Sequence, residues 1–293
     1  MSKRVQIEPF HPHELEFFTF GNPEAGPRVL VTAGLHGGEA SGIYAARKLV
    51  RWLQGETVKG AVTVLPVANP AAFRRLRRTS PYDDLDLNRI FPGKKEGSPS
   101  QVTAAAIWEE AQKADYIVDL HCCGIFGSDY TLALWQDHEH SRALAAMLDI
   151  PVVVNSGGTR NQMFVEASHA GIPAVIIELA GGQLGDGGGL INRESAENAF
   201  RAVSNLLKRL GMVPGETPEA KPTFYDRIHE VPATRAGLWQ PAIAAGAAVT
   251  KGQRLGDLEG MEVTAPQSGI AISVRWESFV FPGHGLVNIA QKY

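Results

Sequence analysis

Val31-Thr-Ala-Gly-Leu-His-Gly-Gly-Glu-Ala-Ser-Gly42 is the stretch that decides the fold. It begins inside an apolar run typical of a buried strand, Arg28 to Ala33, and passes through a glycine-rich turn into helical spacing from Ser41 to Gln54. His36 and Glu39 stand in that turn, at the carboxyl end of the predicted strand, where ligand sites form in open α/β sheets. Glycines around them let the backbone approach an ion closely. The stretch therefore predicts an α/β fold with a candidate metal site at the sheet edge.

Strand and helix patterns alternate outward from this stretch, between residues 27 and 210. Continuous apolar runs are typical of strands that are covered on both faces. The sequence therefore predicts a sheet enclosed between helices, in a domain of residues 1–210. Further strands are predicted at 61–67, 116–120, 130–135, 151–154 and 174–179, and further helices at 103–113, starting near Ser98-Pro99, and at 192–210.

The composition changes after residue 210. Residues 211–223 are rich in proline and glycine, which is typical of a linker. Residues 224–293 contain short β-like runs separated by glycine and proline, and they predict a small all-β, barrel-like domain. This region resembles a biotinyl/lipoyl-type domain, but Glu259-Gly-Met-Glu262, where a carrier would hold its attachment lysine, contains none. We expect a lid or packing role instead.

The charge and composition exclude several classes of protein. The net charge is -3 and the densest basic run, Arg74-Arg75-Leu76-Arg77-Arg78, is short, so no nucleic-acid partner is indicated. No apolar run reaches the length of about 18 residues that spans a membrane, and the N-terminal residues lack the apolar core of a signal peptide. Cys122 and Cys123 are the two cysteines and cannot build a disulfide framework. We expect a cytoplasmic protein, and the sequence leaves its oligomeric state open, a homo-oligomer included.

His121 is the third residue that a metal site at this edge needs. It directly follows the predicted strand 116–120, so we expect its side chain at the same sheet edge as His36 and Glu39. Two histidines and one glutamate leave a coordination position open, which is the pattern of a catalytic zinc site. A water in that position has its pKa lowered toward about 7. The alternative is structural: histidines bonded to backbone carbonyls, and a glutamate that favours the positive end of a helix dipole.

Glu178 is a carboxylate at the end of an otherwise apolar predicted strand. Burial of such a group is costly unless it has a partner. A salt bridge is one explanation, but we favour a general base that deprotonates an activated water. Cys122 and Cys123 could also bind zinc, but further ligands would close a catalytic site, so we favour ordinary packing for both.

The polar loop that starts at Arg78 contains the pair Asn88-Arg89. The planar guanidinium of arginine suits bidentate capture of a carboxylate, and asparagine adds a neutral donor. On the residue types alone, salt bridges to the three aspartates of this loop are the better explanation. Whether the pair binds a carboxylate ligand or forms salt bridges within its loop depends on the other motifs of the sequence.

Four motifs occur in order along the chain: HGGE at 36–39, DLNRIFPG at 86–93, DLH at 119–121 and ELAGG at 178–182. Together they closely resemble the succinylglutamate desuccinylase/aspartoacylase family, relatives of the zinc carboxypeptidases. The resemblance covers about residues 28 to 210. It implies a three-layer αβα sandwich with a mixed sheet, followed here by the small β domain.

The resemblance also implies a metal and a base. His36, Glu39 and His121 match the zinc ligands of the family, which implies one Zn²⁺ per chain. Glu178 matches the general base, which activates water and then passes the proton to the leaving amine.

The resemblance implies three further roles around the substrate. Arg78 falls where the family has an arginine that polarises the scissile carbonyl and stabilises the oxyanion. Asn88 and Arg89 match the pair that binds the α-carboxylate of the substrate. The reaction of the family is hydrolysis of an N-acyl amino acid to a carboxylate and a free amino acid.

The chain departs from aspartoacylases at one position. Those enzymes have an arginine for the second carboxylate of the substrate about ten residues before the base, where this chain has Ser168 and His169. Arg160 lies nearby in the sequence, without a predicted contact. An acidic substrate side chain is therefore not assured, and a neutral or cationic one is open.

We expect a zinc-dependent amidohydrolase that acts on a small-molecule N-acyl amino acid. A zinc carboxypeptidase that cuts peptides is one alternative, because the parts of the site are shared and only the size of the cleft would separate the two. A catalytically silent binding relative is another. The presence of Glu178, Arg78 and all three metal ligands argues against it.

Overall fold

A large mixed sheet lies at the centre of the structure, a computed structural model that describes residues 2–6, 14–184 and 187–292. Its strand order is β1-β2-β4-β3-β5-β8-β6-β7-β11, with parallel pairing from β4 through β3 and β5 to β8 and antiparallel pairing of β6 with β8. The strands are β1 Ser2–Gln6, β2 Glu14–Asn22, β3 Arg28–Ala33, β4 Gly60–Leu65, β5 Tyr116–Cys122, β6 Tyr130–Ala133, β7 Val152–Asn155, β8 Ala174–Leu179 and β11 Thr223–Tyr225.

Helices cover both faces of this sheet. Buried side chains of α1 and α6 form a core on one face, and those of α3 and α5 form a second core on the other. The helices are α1 Ala40–Leu53, α2 Pro70–Arg75, α3 Pro99–Ala111, α4 Glu139–Ala146, α5 Met163–His169 and α6 Arg193–Arg209. The predicted three-layer α/β sandwich with a mixed sheet is confirmed. Among the described residues, no helix combines the length and the hydrophobicity that crossing a membrane requires.

Small residues allow the turn between β3 and α1 to sit deep in the structure. A Cβ atom on Gly37 would lie 2.1 Å from the carbonyl carbon of Ala72 in α2, and one on Gly42 would lie 2.8 Å from the carbonyl oxygen of Leu120 in β5. The backbone N–H of Gly37 also donates to the carbonyl of Arg77 at 2.8 Å. The turn is therefore held between α2 and the end of β5, where larger residues would clash.

The C-terminal part of the chain forms two small antiparallel sheets, ordered β12-β19-β17-β14 and β16-β15-β13-β18 in the described residues. Its strands are β12 Arg227–Pro232, β13 Gly237–Pro241, β14 Ala248–Val249, β15 Arg254–Leu258, β16 Met261–Thr264, β17 Gly269–Val274, β18 Ser278–Val280 and β19 Gly285–Gln291, and a hairpin of β9 Gly181–Leu184 and β10 Gly187–Ile191 precedes α6. β11, just before this part, pairs with β7 and so belongs to the large sheet. The pairing of the C-terminal sheets begins at Arg227.

The C-terminal sheets are bonded to the loop that follows β5. The N–H of Ser128 donates to the carbonyl of Ile272 at 2.8 Å, and the N–H of Val274 donates to the carbonyl of Phe126 at 2.9 Å. Buried side chains from both parts, including Tyr130 and Ile272, form a shared apolar cluster. The C-terminal part therefore packs against the segment that leaves the candidate site.

Candidate metal centre and active site

His36, Glu39 and His121 converge at the carboxyl edge of the large sheet. His36 follows β3, Glu39 is the residue before α1, and His121 is near the end of β5, which pairs with β3. All three are buried, with exposed fractions of 2%, 5% and 2%. One potential ligand atom from each lies within 4.8 Å of the others, so the group could hold a metal ion. The structure thus brings together the residues that the sequence predicted as ligands.

The carboxylate of Glu39 lies between the two imidazole rings. Its Oε1 is 2.8 Å from Nδ1 of His36, and its Oε2 is 3.0 Å from Nδ1 of His121. The ring centroids of the two histidines are 5.0 Å apart, with an angle of 65° between the ring planes. The same nitrogen of each ring therefore faces the carboxylate.

The opposite nitrogens bond to two aspartates that the sequence did not single out as site residues. Nε2 of His36 is 3.0 Å from Oδ1 of Asp86, and Nε2 of His121 is 2.8 Å from Oδ2 of Asp119. Asp119 is fully buried and also accepts a hydrogen bond from the hydroxyl of Thr32 at 2.6 Å. Carboxylates that bind the outer nitrogen of a histidine are typical of metal sites, because they fix the ring and its tautomer.

This arrangement fits a metal ion. With a proton on each Nε2, the Nδ1 lone pairs point at the oxygens of Glu39, and a cation between them removes the repulsion. Among the described residues, Oε2 of Glu39 is buried and has no hydrogen-bond partner, although Nδ1 of His121 lies 3.0 Å away. An oxygen of this kind is costly to bury unless it binds a cation or a proton. Two imidazoles and a carboxylate are also ligands that zinc prefers.

The pKa values of these groups show how strongly they interact. Burial opposes the ionisation of Glu39, yet the two histidines hold its pKa well below the usual range. Burial lowers the pKa of His121, but the charges of Asp119 and Glu39 outweigh it and raise that pKa well above the ordinary value. The pocket is therefore one in which positive charge is strongly favoured.

Glu178 lies beside His121 on the neighbouring strand. The two are direct partners in the parallel pairing of β5 with β8, and Tyr130 is the partner of Glu178 on its other side, in β6. Burial raises the pKa of Glu178 to about 7; His121 opposes this shift and Glu39 adds to it. Among the described residues Glu178 makes no ion pair, so the salt bridge considered from the sequence is not found. A carboxyl group that titrates near neutral pH suits proton transfer.

Arg78 reaches the same site through Asp86. Its Nε and Nη2 bind Oδ2 of Asp86 at 2.9 and 2.8 Å, and its Nη1 lies 3.5 Å from Nδ1 of His36. Burial opposes the ionisation of Asp86, but His36 and Arg78 hold its pKa well below the usual range. Asp86 thus links the arginine to one of the candidate ligands.

Asn88 and Arg89 lie on a single 3₁₀ turn that begins after Asp86. Asn88 is buried, and its Oδ1 accepts a hydrogen bond from the N–H of Met163 at 3.0 Å, which fixes the side-chain amide. Arg89 is exposed, and its Nη1 donates to the carbonyl of Asn88 at 2.8 Å. Within the described ranges Arg89 forms no ion pair, so the salt bridges to the aspartates of its own loop are not found.

The two cysteines take no part in these contacts, and neither do Ser168 and His169, which stand where aspartoacylases have an arginine. Cys122 and Cys123 are free thiols whose pKa values are raised by burial, which disfavours the thiolate that zinc would bind. Ser168 is buried against the hydroxyl of Ser141 at 2.9 Å, and His169 is exposed at the end of α5. Arg160 forms a bidentate pair with Glu166, at 2.7 Å for both bonds.

The sequence model of the succinylglutamate desuccinylase/aspartoacylase catalytic domain matches residues 25–210 of this chain. The chain belongs to this family. The match contains all seven predicted site residues and both aspartates behind the histidines. The resemblance drawn from the four motifs is thereby confirmed.

Two relatives in the family illustrate the range of similarity. The chain is 29% identical over 292 residues to an N-alpha-acetyl-L-2,4-diaminobutyric acid deacetylase of Halomonas elongata, a match that covers 91% of this chain and 82% of the relative. It is 33% identical over 148 residues to a succinylglutamate desuccinylase of Pseudomonas aeruginosa, covering 46% of this chain and 43% of the relative. Relatives of the family thus release acyl groups from amino acids.

Solved structures resemble the whole chain. A succinylglutamate desuccinylase/aspartoacylase from Rhodobacter sphaeroides superposes with a TM-score of 0.79 at 26% identity, covering 96% of this chain and 90% of the other. The product-bound ectoine utilization protein of Ruegeria pomeroyi gives a TM-score of 0.81 at 24% identity, covering 96% and 90%. The latter likeness establishes the shared fold, including the C-terminal sheets.

Proposed function

We propose that this protein is a zinc-dependent deacylase that hydrolyses the amide bond of an N-acyl amino acid, giving a carboxylate and a free amino acid. The observation that carries the proposal is the buried group of His36, Glu39 and His121, with Glu178 as the next residue across the sheet. The names of the relatives support the reaction class, since a deacetylase, desuccinylases and an N-acyl-aromatic-L-amino acid amidohydrolase of Rattus norvegicus all act on N-acyl amino acids.

His36, Glu39 and His121 would hold one zinc ion per chain. When bound, zinc supplies a Lewis acid that polarises the amide carbonyl and lowers the pKa of the attacking water. Asp86 and Asp119 hold the two imidazole rings through Nε2, so that Nδ1 of each faces the Glu39 carboxylate and would be available as a ligand.

Glu178 moves the proton of the reaction. Its carboxylate accepts a proton from the attacking water and then donates it to the nitrogen of the leaving amino acid. Its pKa near 7, raised by burial, is matched to both steps at neutral pH. The supporting geometry is its pairing beside His121.

Three residues would bind the substrate. Arg89 binds the α-carboxylate with its exposed guanidinium, and Asn88, whose Oδ1 is engaged with Met163, donates through Nδ2. Arg78, held by Asp86 next to His36, stabilises the negative charge that develops on the carbonyl oxygen. Together they orient the acyl group toward the metal and Glu178.

The substrate side chain is proposed to be neutral or cationic. The nearest arginine in sequence to the position of departure, Arg160, is engaged on both nitrogens by Glu166 and is exposed. An acidic side chain would therefore have to compete with Glu166 for this cation. We expect N-acetyl-2,4-diaminobutyrate to be hydrolysed with a higher kcat/KM than N-acetylaspartate.

The test combines metal analysis with a substrate panel. Protein purified without added metal is assayed by elemental analysis and with N-acetyl, N-succinyl and aromatic N-acyl amino acids, each beside its α-carboxamide and beside dipeptides. We expect one zinc per chain, release of the free amino acid, and loss of both in His121→Ala. His169→Ala, a histidine outside the group, is the matched control and should retain both.

Each remaining outcome contradicts one part of the proposal. Faster cleavage of dipeptides than of N-acyl amino acids identifies a carboxypeptidase. Zinc binding without hydrolysis of any panel member identifies a silent relative. Full activity of metal-free protein removes the metal from the mechanism.

A further inference from the structure

A cavity lies outside the candidate active site, on the face of the sheet that α1 covers. It has a volume of about 450 Å³ and is lined by residues of β2, α1, α2 and the segment between β4 and α2. None of the seven predicted site residues belongs to its lining. Cavities of roughly 300–1,000 Å³ are the size that small-molecule ligands occupy.

The floor of this cavity is apolar. Phe18, Val67 and Phe73 line it, and all three are partly buried side chains that pack against the core between α1 and the sheet. Val50 of α1 and Pro66 complete the same surface. An apolar part of a ligand would therefore extend the core outward and lose contact with water.

The rim of the cavity carries three arginines. Arg47 and Arg51 are one turn apart on α1 and so point to the same side of the helix. Arg74, from the short basic run of α2, lines the cavity as well. All three are exposed, and within the described part of the chain none has a salt bridge or hydrogen bond to a carboxylate.

Two glutamates also line the cavity, but another residue binds them. Arg4 of β1 lies 3.8 Å from Oε2 of Glu14 and 3.2 Å from Oε1 of Glu16. Arg4 thus offsets part of their charge at the outer edge strand. With Arg4, the three rim arginines outnumber the two glutamates, so an excess of positive charge remains above the apolar floor.

We propose that this cavity binds a small organic carboxylate with an apolar body. The planar guanidinium of arginine matches the geometry of a carboxylate, and exposed ion pairs alone are weak, so the apolar body supplies the rest of the affinity. The proposal rests on this cavity alone and goes beyond the deacylase reaction, which takes place at the other site.

The test titrates octanoate into the full-length protein by isothermal titration calorimetry, with octanamide as the neutral ligand of the same shape. We expect saturable binding at one site per chain, and binding of octanamide about tenfold weaker or more. The double variant Arg51→Gln/Arg74→Gln should weaken octanoate binding by about tenfold or more, because it removes charge from both helices. Arg75→Gln, the exposed neighbour of Arg74 outside the lining, should stay within about twofold of wild type.

The variants also locate the binding. Octanoate that bound at the metal centre instead would not respond to the double variant, and this result would overturn the proposal. Equal affinity for octanoate and octanamide would overturn it too, as would an equal loss in Arg75→Gln. Since the substituted arginines are exposed, unchanged thermal midpoints are expected and are measured alongside.

Discussion

Replacement of Asp119 by asparagine should weaken zinc binding while leaving all three proposed ligands in place. Asp119 is fully buried in β5 and accepts two hydrogen bonds, from Nε2 of His121 at 2.8 Å and from the hydroxyl of Thr32 at 2.6 Å. Asparagine has nearly the same shape but only one acceptor oxygen and no charge. The bond to His121 therefore becomes neutral, and its ring is held less firmly.

The size of the effect follows from these two bonds. A hydrogen bond to a charged group contributes about 1.5–3 kcal/mol and a neutral one about 0.5–1.5 kcal/mol. Because this bond sets the basicity and orientation of His121, its weakening should reduce the free energy of zinc binding by the difference of about 1–2 kcal/mol. This reduction corresponds to a zinc dissociation constant about 5–30 times larger. Loss of such outer partners in other metal sites costs roughly 10–100-fold, which agrees in order of magnitude.

Competition for zinc against a chromophoric chelator at fixed pH measures this constant. Asp115→Asn is the matched control, because Asp115 lies just before the same strand but is bound by Arg28 at the sheet's opposite edge. It should bind zinc as wild type does. Thermal unfolding of both metal-free variants separates a local effect from loss of the fold.

An Asp119→Asn protein that binds zinc within about twofold of wild type would refute this account of the site. The bond between Asp119 and His121 would then belong to the fold alone. A variant that unfolds when metal-free would show that the pair contributes mainly to stability. The expected result lies between these: a folded protein with weaker metal binding.

Three further predictions concern the other site residues. Glu178→Gln should retain zinc and fold but lower kcat by about 10²–10⁴, and turnover above a tenth of wild type would place the base elsewhere. Arg89→Ala should cost acid substrates about 2–4 kcal/mol more in transition-state binding than the matching amides, with poor rescue by lysine, and equal losses would make Arg89 structural. Glu178 has an ordinary pKa of 4.5 and a raised pKa of about 7 in the folded, metal-free protein. Between these two values the folded state binds more protons at Glu178 than the unfolded state does. The free energy of unfolding should therefore fall as pH rises through this window, by up to about 3 kcal/mol. Denaturant titrations across this range should show a smaller loss for Glu178→Gln, and an identical pH profile for both proteins would contradict the raised pKa.

The strands and long helices could be predicted because their apolar patterns are local. The run at 28–33 and the run at 174–179 coincide with β3 and β8, and the helix predicted to start near Ser98-Pro99 begins at Pro99 after Ser98. The convergence of the three candidate metal ligands could also be predicted, because parallel strands have their carboxyl ends at the same edge of the sheet. In this part of the chain, the local apolar pattern and the arrangement of the strands in the sheet lead to the same prediction.

The shorter helices and the outer contacts could not be predicted in the same way. α2, α4 and α5 contain 6, 8 and 7 residues, too few for a helical period to stand out. A local signal for α2 did exist, since Asn69 caps it and Pro70 begins it. The role of Asp86 depends on a loop that folds back on His36, 50 residues earlier, and no local pattern encodes this contact.

The backbone hydrogen bonds between the loop at Phe126–Ser128 and the strand segment at Ile272–Val274 bear on how this molecule can be divided. Without the C-terminal sheets, the Ser128 N–H and the Phe126 carbonyl would lose their partners, and the apolar cluster around Tyr130 would open to water. The loop that loses this support leads directly from the strand of His121. We therefore predict that the two parts unfold as one cooperative unit and that the segment before β12 is not a hinge between independent modules. Heat or denaturant should melt both parts in a single transition, and the α/β part expressed alone should lose order first at the candidate metal centre.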